Sequence, residues 1–167
     1  MKINVKNLTK LADGLPNVSE KQFDMRMFQV VFDGDLFQKK HPVLARRELE
    51  QYGPVAAYHY EDLENDDDLL ALSPTFKILH NCGTSGCALG WAPALVARGK
   101  KGEGWPEYCV RVFGVPESCE EWDYMFSGNW RGIENTPKAT AKRIMFIVEN
   151  GRPPKDWSRQ ISFGDWE

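Results

Sequence analysis

Length, composition and charge limit the classes of protein to which this chain can belong. Its 167 residues, 42% of them hydrophobic, suffice for one core and predict a single domain over 1–167. The formal net charge of −3 lacks the basic excess with which a general nucleic-acid binder neutralises phosphates. We find no signal-peptide pattern and no apolar run long enough to span a bilayer, so we expect a cytoplasmic protein without a membrane partner.

The first predicted element is an amphipathic helix near the N-terminus. Gly14 and Pro16 predict where this helix breaks. Its apolar positions recur at i, i+3, i+4 and i+7, and they are Leu8, Leu11, Ala12 and Leu15.

The segment 24–75 is predicted to be an insertion rich in loops. β-Branched and aromatic residues on both sides of Asp33 and Gly34 predict a short β-hairpin near 25–37. Pro42 stands where a first-turn proline belongs, so a helix is expected to continue from 43 to 52.

The turn 82–87 is the most distinctive segment of the chain. Its glycine and hydroxyl residues predict a helix N-cap, with the helix starting at about Ser85 and stopping at Gly99. Gly86 and Gly90 are four residues apart, which predicts a flat strip where another backbone can approach closely.

Three further helices are predicted in the C-terminal half. The first begins at Pro106 and ends at Gly114, and the second starts with a capping box at 118–121. The third begins at Thr136 and Pro137, an N-cap followed by a first-turn proline. The buried stripe expected on this third helix consists of Ala141, Ile144, Met145 and Val148.

These elements together predict the fold class. The chain should be mainly α, a compact bundle of about five to six helices with the short hairpin near 25–37. A tail at 152–167 follows the last helix, and its prolines exclude a helical start. We expect this tail to lie against the domain or to fray.

Four short motifs in this sequence occur together in a known group of proteins. They are Phe23-Asp24-Met25, the segment 82–91, the segment 122–128, and Asn135-Thr136-Pro137. The combination resembles a family of small uncharacterised bacteriophage and prophage proteins, in which a Cys-Gly-Thr turn and a second cysteine open a helix. The resemblance covers 8–151, with a longer stretch at 26–77. It implies a phage origin and work inside an infected bacterial cell, and it implies no activity.

A hydroxyl-rich helix start and a loop between two helices are the candidate binding features. Helix N-termini present free amides to phosphates or carboxylates, and an arginine beside a tryptophan suits pairing with a phosphate and stacking on a base. Together they predict a ligand site formed by Thr84, Ser85, Gly86, Trp130 and Arg131. The alternative interpretation is structural: a capped helix, a tryptophan packed against the core edge and a solvated arginine.

Cysteine chemistry is a further alternative. His80, Cys82 and Cys87, completed by Cys109 or Cys119, supply zinc-binding atoms, and Cys87 lies near a helix start where a nucleophile could be activated. The spacing matches no standard zinc finger or ribbon, and cysteines on apolar helical faces favour buried thiols. We therefore predict neither a metal nor another cofactor.

Three functional hypotheses follow from these features. The first is a non-enzymatic binding protein that sequesters a small anionic, nucleotide-type ligand of host immunity. The second is an inhibitor of a host protein that uses the acidic segment 61–68, which could mimic nucleic acid or complement a basic surface. The third is a cysteine- or zinc-dependent enzyme. The phage resemblance favours the first two by analogy.

Overall fold

Helices make up most of the chain that the structure describes. The computed structural model describes residues 2–25, 28–31, 34–43, 70–71, 74–76, 84–128, 130 and 134–160. Within those ranges lie six α-helices, three two-residue strands and three short 3-10 helices. The predicted mainly α fold class is therefore confirmed.

Helix α1, Val5–Gly14, begins where the side chain of Asn4 caps it. The Asn4 Oδ1 atom accepts a hydrogen bond from the backbone N–H of Asn7 at 3.2 Å, which pairs one of the free amides of the helix start. A 3-10 turn, Leu15–Asn17, follows the helix at the predicted break. The predicted apolar face is confirmed, since its four residues are all buried: Leu8, Leu11, Ala12 and Leu15.

The three strands form one small sheet with β1 at its centre. Strand β1, Val30–Val31, pairs antiparallel with β2, Leu70–Ala71, and with β3, Thr84–Ser85. The hairpin predicted at 25–37 is wrong, because the chain after β1 forms helix α2, Gly34–Lys40. A two-stranded hairpin is marginally stable in water, and β1 instead takes two partners from distant segments.

Helix α2 is held by aromatic contacts. Phe37 is buried, and its ring lies 5.2 Å from the ring of His41 and 5.7 Å from that of Phe76, measured between centroids. Phe37 and His41 are four residues apart, which places them on one helical face. Pro42 is helical, and most of the helix predicted over 43–52 lies outside the described residues.

Helix α3, Ala88–Leu95, begins three residues after the predicted start at Ser85. Ser85 belongs to β3, and the backbone N–H of Gly86 donates to the carbonyl of Gln22 at 3.2 Å. The Gly86 carbonyl accepts from the N–H of Asp24, also at 3.2 Å. Because these backbone groups pair with other segments, they cannot join the helix, and the predicted start is corrected.

Both ends of α3 are satisfied by neighbouring groups. Cys87 is the N-cap, and its sulfur accepts a hydrogen bond from the amide three residues further on at 3.4 Å. The helix ends at Leu95 rather than at the predicted Gly99. Just beyond this end, the Tyr108 hydroxyl donates to the carbonyl of Ala97 at 2.5 Å. A buried tyrosine thus takes up a carbonyl where the helical pairing stops.

Gly90 lies where α3 meets the segment before β1. A Cβ atom at Gly90 would overlap with the backbone carbonyl of Phe28, and the Gln29 side chain donates to the Gly90 carbonyl at 2.5 Å. Gly86 pairs with Phe23 in an isolated parallel bridge. The predicted close approach of another backbone is thus confirmed at Gly90, whereas Gly86 lies before the helix and pairs as extended chain.

Helices α4, Trp105–Phe113, and α5, Glu120–Phe126, occupy the predicted segments. Gly114 ends α4 with a φ of 71°, the left-handed conformation that favours glycine at this position. The capping box predicted at 118–121 is wrong. Cys119, with extended backbone, is the N-cap of α5 and makes no side-chain capping bond, so the helix starts one residue later.

Helix α6, Pro137–Asn150, is the longest described helix and packs against α1 and α5. The Thr136 Oγ1 atom accepts from the N–H of Ala139 at 3.2 Å, which confirms the predicted N-cap. One cluster of buried apolar side chains joins α1, α3, α4, α5 and α6. None of the helices in the described ranges is long and apolar enough to cross a membrane.

Replacing Gly90 by alanine should destabilise this fold. The added methyl group would overlap with the Phe28 carbonyl, and overpacking of this kind costs about 1–3 kcal/mol. Gly14→Ala is the matched control, because its methyl group first meets the flexible end of Leu95; it should stay within about 1 kcal/mol of the parent. Urea unfolding followed by circular dichroism measures both, and equal stabilities of the two variants would contradict the close packing.

Candidate functional site

An arginine occupies the buried face of α6. Arg143 is 4% exposed and lies one turn from Thr140 and Ile147, which are also buried. Its Nη1 atom donates to the backbone carbonyl of Glu134 at 2.5 Å, and its Nη2 atom donates to the Thr140 Oγ1 atom at 2.9 Å. The helix therefore holds a guanidinium group inside the domain, bonded to two neutral oxygen atoms.

The ring of Trp130 covers this guanidinium group. The Arg143 Cζ atom lies 4.4 Å from the ring centre, within the range of a cation–π interaction. Trp130 is itself 4% exposed, with Tyr124 edge-on at 5.6 Å and Trp157 tilted at 6.2 Å between centroids. Protein groups thus enclose the ring, as the structural interpretation of Trp130 expected.

Three buried polar atoms around this arginine have no hydrogen-bond partner among the described residues. They are Arg143 Nε, Trp130 Nε1 and Asn135 Oδ1. The Asn135 amide nitrogen donates to the carbonyls of Gly128 and Trp130, which fixes the direction of its oxygen. Each unpaired buried group costs about 1–3 kcal/mol. We call Trp130, Asn135, Thr140 and Arg143 the Arg143 cluster; it has two spare donors and one spare acceptor.

The charge of Arg143 is held in a poorly solvated position. Burial lowers the pKa of Arg143 to about 10, although the negative charge of Glu134 and the presence of Tyr124 oppose this shift. The group stays protonated at neutral pH. Among the described residues, no carboxylate forms an ion pair with it. A buried cation that makes no ion pair is costly, and a bound anion would relieve that cost.

The sequence-predicted turn lies in a different environment. Thr84 and Ser85 form β3, Ser85 is 2% exposed, and the Gly86 amide is paired with Gln22. The Gly86 amide is therefore committed to backbone pairing rather than free at a helix start. In the described part of the chain, no hydrogen bond or ring contact joins Ser85 to Trp130.

Two other predicted features lie outside the described residues. Arg131, the loop arginine of the predicted ligand site, is one of them, and the acidic segment 61–68 is the other. Their assignments as a ligand contact and as a protein-binding surface stay predictions.

The cysteine environments oppose thiolate chemistry. Cys87 is buried, and burial raises the pKa of its thiol from 9.0 to about 11, whereas a nucleophile needs a lowered pKa. Burial also raises the pKa values of Cys109 and Cys119. Within the described ranges, no group of histidine, cysteine or carboxylate side chains could hold a metal ion. His80 and Cys82, the other predicted zinc ligands, lie outside those ranges.

Sequence reasoning missed Arg143 because the predicted stripe of α6 was turned too far around the helix. Ala141 and Ile144 are buried as expected, but Met145 and Val148 are only half-buried. The fully buried positions instead include Thr140, Arg143 and Ile147. The signal that was missed is the spacing of Arg143, which lies three residues after the buried Thr140 and four before the buried Ile147.

Comparisons with protein-family models, with curated proteins and with solved structures found no match to the chain. The chemistry of the Arg143 cluster is therefore the basis for a functional assignment.

Two substitutions distinguish what the charge of Arg143 contributes to stability from what its volume contributes. Arg143→Met keeps most of the volume and removes a buried charge that makes no ion pair, but it leaves the Glu134 carbonyl and the Thr140 hydroxyl without their donor, so it should lower the free energy of unfolding by less than Arg143→Ala does. Arg143→Ala leaves a cavity under Trp130 and should cost about 2 kcal/mol or more. Urea unfolding distinguishes them. If methionine is as damaging as alanine, the charge itself holds the fold together.

The buried thiol of Cys87 predicts a loss of stability at alkaline pH. Below pH 9.0 the Cys87 thiol is protonated in both the folded and the unfolded chain. Between pH 9.0 and about 11, the unfolded chain releases this proton while the folded chain keeps it. Stability should therefore fall as pH rises through this range, by up to about 1.4 kcal/mol per pH unit. Unfolding measured from pH 8 to 11 should show a shallower slope for Cys87→Ala. A slope equal to that of the parent would contradict the assignment.

Proposed function

We propose that this chain is a non-enzymatic protein that binds a small anionic ligand at the Arg143 cluster. The observation that carries the proposal is a buried guanidinium group with an unpaired Nε atom and no carboxylate partner among the described residues. Charges attract strongly where water is excluded, and guanidinium groups bond well to phosphate and carboxylate oxygens. An anion at Arg143 would thus neutralise the charge and accept the spare hydrogen bond.

The composition of the cluster favours binding over catalysis. Its polar groups are a guanidinium, an indole, an amide and a hydroxyl, and none of these exchanges protons readily near neutral pH. General acid–base catalysis needs a group whose pKa lies near the working pH. The raised pKa of the Cys87 thiol likewise disfavours covalent catalysis.

We further propose that the ligand carries a phosphoryl group. Two spare donors, on Arg143 and Trp130, suit an anion with several acceptor oxygens, and the spare Asn135 oxygen suits a donor on the same ligand. Because the Trp130 ring is enclosed, the ligand should meet its N–H edge and not its face. Arg131 follows Trp130 in the sequence and stays a predicted second positive charge for this ligand. With the phage resemblance, this suggests sequestration of a phosphorylated host signal.

The test is a calorimetric titration of the whole protein with inorganic phosphate, pyrophosphate, and mono- and cyclic nucleotides. Arg143→Met should weaken binding of whichever anion binds by roughly tenfold to hundredfold, since a charge-assisted hydrogen bond contributes about 1.5–3 kcal/mol. Lys142→Met is the matched control, because it removes the same charge from an exposed position of α6. Its affinity should stay close to that of the parent.

Two results would reject this proposal. One is the absence of binding by every anion in the set; the other is equal weakening by Arg143→Met and Lys142→Met, which would indicate only a diffuse charge effect. Arg131→Ala tests the contribution of the loop separately. If no anion binds, inhibition of a host protein through the acidic segment 61–68 becomes the leading hypothesis.

A further inference from the structure

The C-terminal segment 152–160 returns to the domain after α6 ends. Gly151 terminates the helix with a φ of 75°, and an added Cβ there would meet no atom within 4 Å. Pro153 and Trp157 are buried, and a 3-10 helix, Trp157–Gln160, ends the described chain. The predicted tail therefore lies against the domain rather than fraying over these residues.

Trp157 packs on the aromatic side chains that surround Arg143. Its ring lies 5.7 Å from Tyr124, edge-on, and 6.2 Å from Trp130, tilted by 33°. Trp130 is the ring that covers the guanidinium group, and Tyr124 is close enough to influence the pKa of Arg143. Trp157, at 8% exposed, is thus part of the wall of the Arg143 cluster, contributed by the tail.

The two buried residues of this segment are separated by solvent-facing ones. Arg152 precedes the first of them, Lys155 and Asp156 lie between them, and Ser158 follows the second. The described residues of this segment belong to no strand, so its release would break no strand ladder. Gly151 provides a hinge, because it holds a backbone conformation that glycine changes at little cost.

We propose that the segment 152–160 is a strap that closes the Arg143 cluster from solvent and swings about Gly151 to admit an anion. The role of the strap in admitting an anion rests on the proposed function, but the closure of the Arg143 cluster by the strap does not. Arg143 is enclosed in the described structure, and any ligand from solvent needs a way in. Among the residues that pack on Trp130, Trp157 lies outside the α-helices of the core, in a short 3-10 helix.

The test measures the chemical accessibility of Arg143 in the full chain without any ligand. Phenylglyoxal modifies exposed guanidinium groups, and mass spectrometry of peptides gives the rate at each arginine. Trp157→Ala should raise the rate at Arg143 at least tenfold, while exposed Arg98 serves as the internal reference. Lys155→Ala, in the same segment but solvent-facing, is the matched control and should leave the rate unchanged.

A second pair of variants excludes a general loosening of the fold. Trp157→Phe keeps a ring at the anchor and should give an intermediate rate at Arg143. Phe113→Leu destabilises the core through α4 and should leave that rate close to the parent's. The strap is rejected if Trp157→Ala and Trp157→Phe both leave Arg143 as slow as in the parent, or if Phe113→Leu accelerates it equally.

Adding pyrophosphate separates the strap from the proposed function. If both are correct, pyrophosphate should slow the modification of Arg143 in Trp157→Ala at least fivefold, because the bound anion occupies the guanidinium group. Faster modification in Trp157→Ala without protection by pyrophosphate, phosphate or nucleotides would keep the strap and reject the anion site. Binding to the parent with no change in accessibility in the Trp157 variants would keep the site and reject the strap.

Discussion

Burial of one face of α6 against α1 and α5 is the constraint on which the rest of the site depends. That face carries Ile144 and Ile147, which anchor it in the core, and Arg143 lies beside them. A helix has little freedom to rotate once its apolar side chains are packed, so the guanidinium group cannot reach solvent. The segments around it must therefore accommodate the charge. Glu134 offers a carbonyl, Thr140 offers a hydroxyl, and an indole ring covers the guanidinium group.

The surrounding groups leave part of the hydrogen-bonding capacity of the Arg143 cluster unused. A buried arginine that only supports a fold is expected to have its N–H groups paired. Arg143 keeps one N–H unpaired among the described residues, while the adjacent indole and amide keep one polar atom each. Each of these unpaired atoms costs stability, so packing alone does not account for the set. This unpaired set is the ground on which we propose an anionic ligand for the site.

Local signals in the sequence predicted the helices well, because their causes are local. Gly114 ends α4 in the left-handed conformation, and Thr136 caps α6 through its own side chain, so both boundaries follow from nearby residues. The sheet and the start of α3 depend on distant partners. Val30 pairs with Ala71 and Ser85, and no spacing within the segment 25–37 encodes that choice.

The candidate site was harder to predict than the fold for a related reason. The loop 127–132 drew attention to the right region, since Trp130 does lie in the cluster. Its charged partner, however, comes from the middle of a helix, where an arginine is usually assigned to the solvated face. Only the packing of α6 decides which face Arg143 occupies. Because the predicted buried stripe was rotated slightly around the helix, the burial of Arg143 was not predicted.

One helix positions both the buried charge and the hinge of the strap. Gly151 lies eight positions after Arg143, a distance of about 12 Å along a helix. The six residue steps from Gly151 to Trp157 span at most about 20 Å, enough to turn back and bring an indole ring onto Trp130. Because α6 is fixed in the core, the strap moves against a rigid support, and its closed position is set by the aromatic rings that enclose the charge. Release of Trp157 would therefore uncover the cluster without moving Arg143, so the guanidinium group would keep its orientation for the proposed anion.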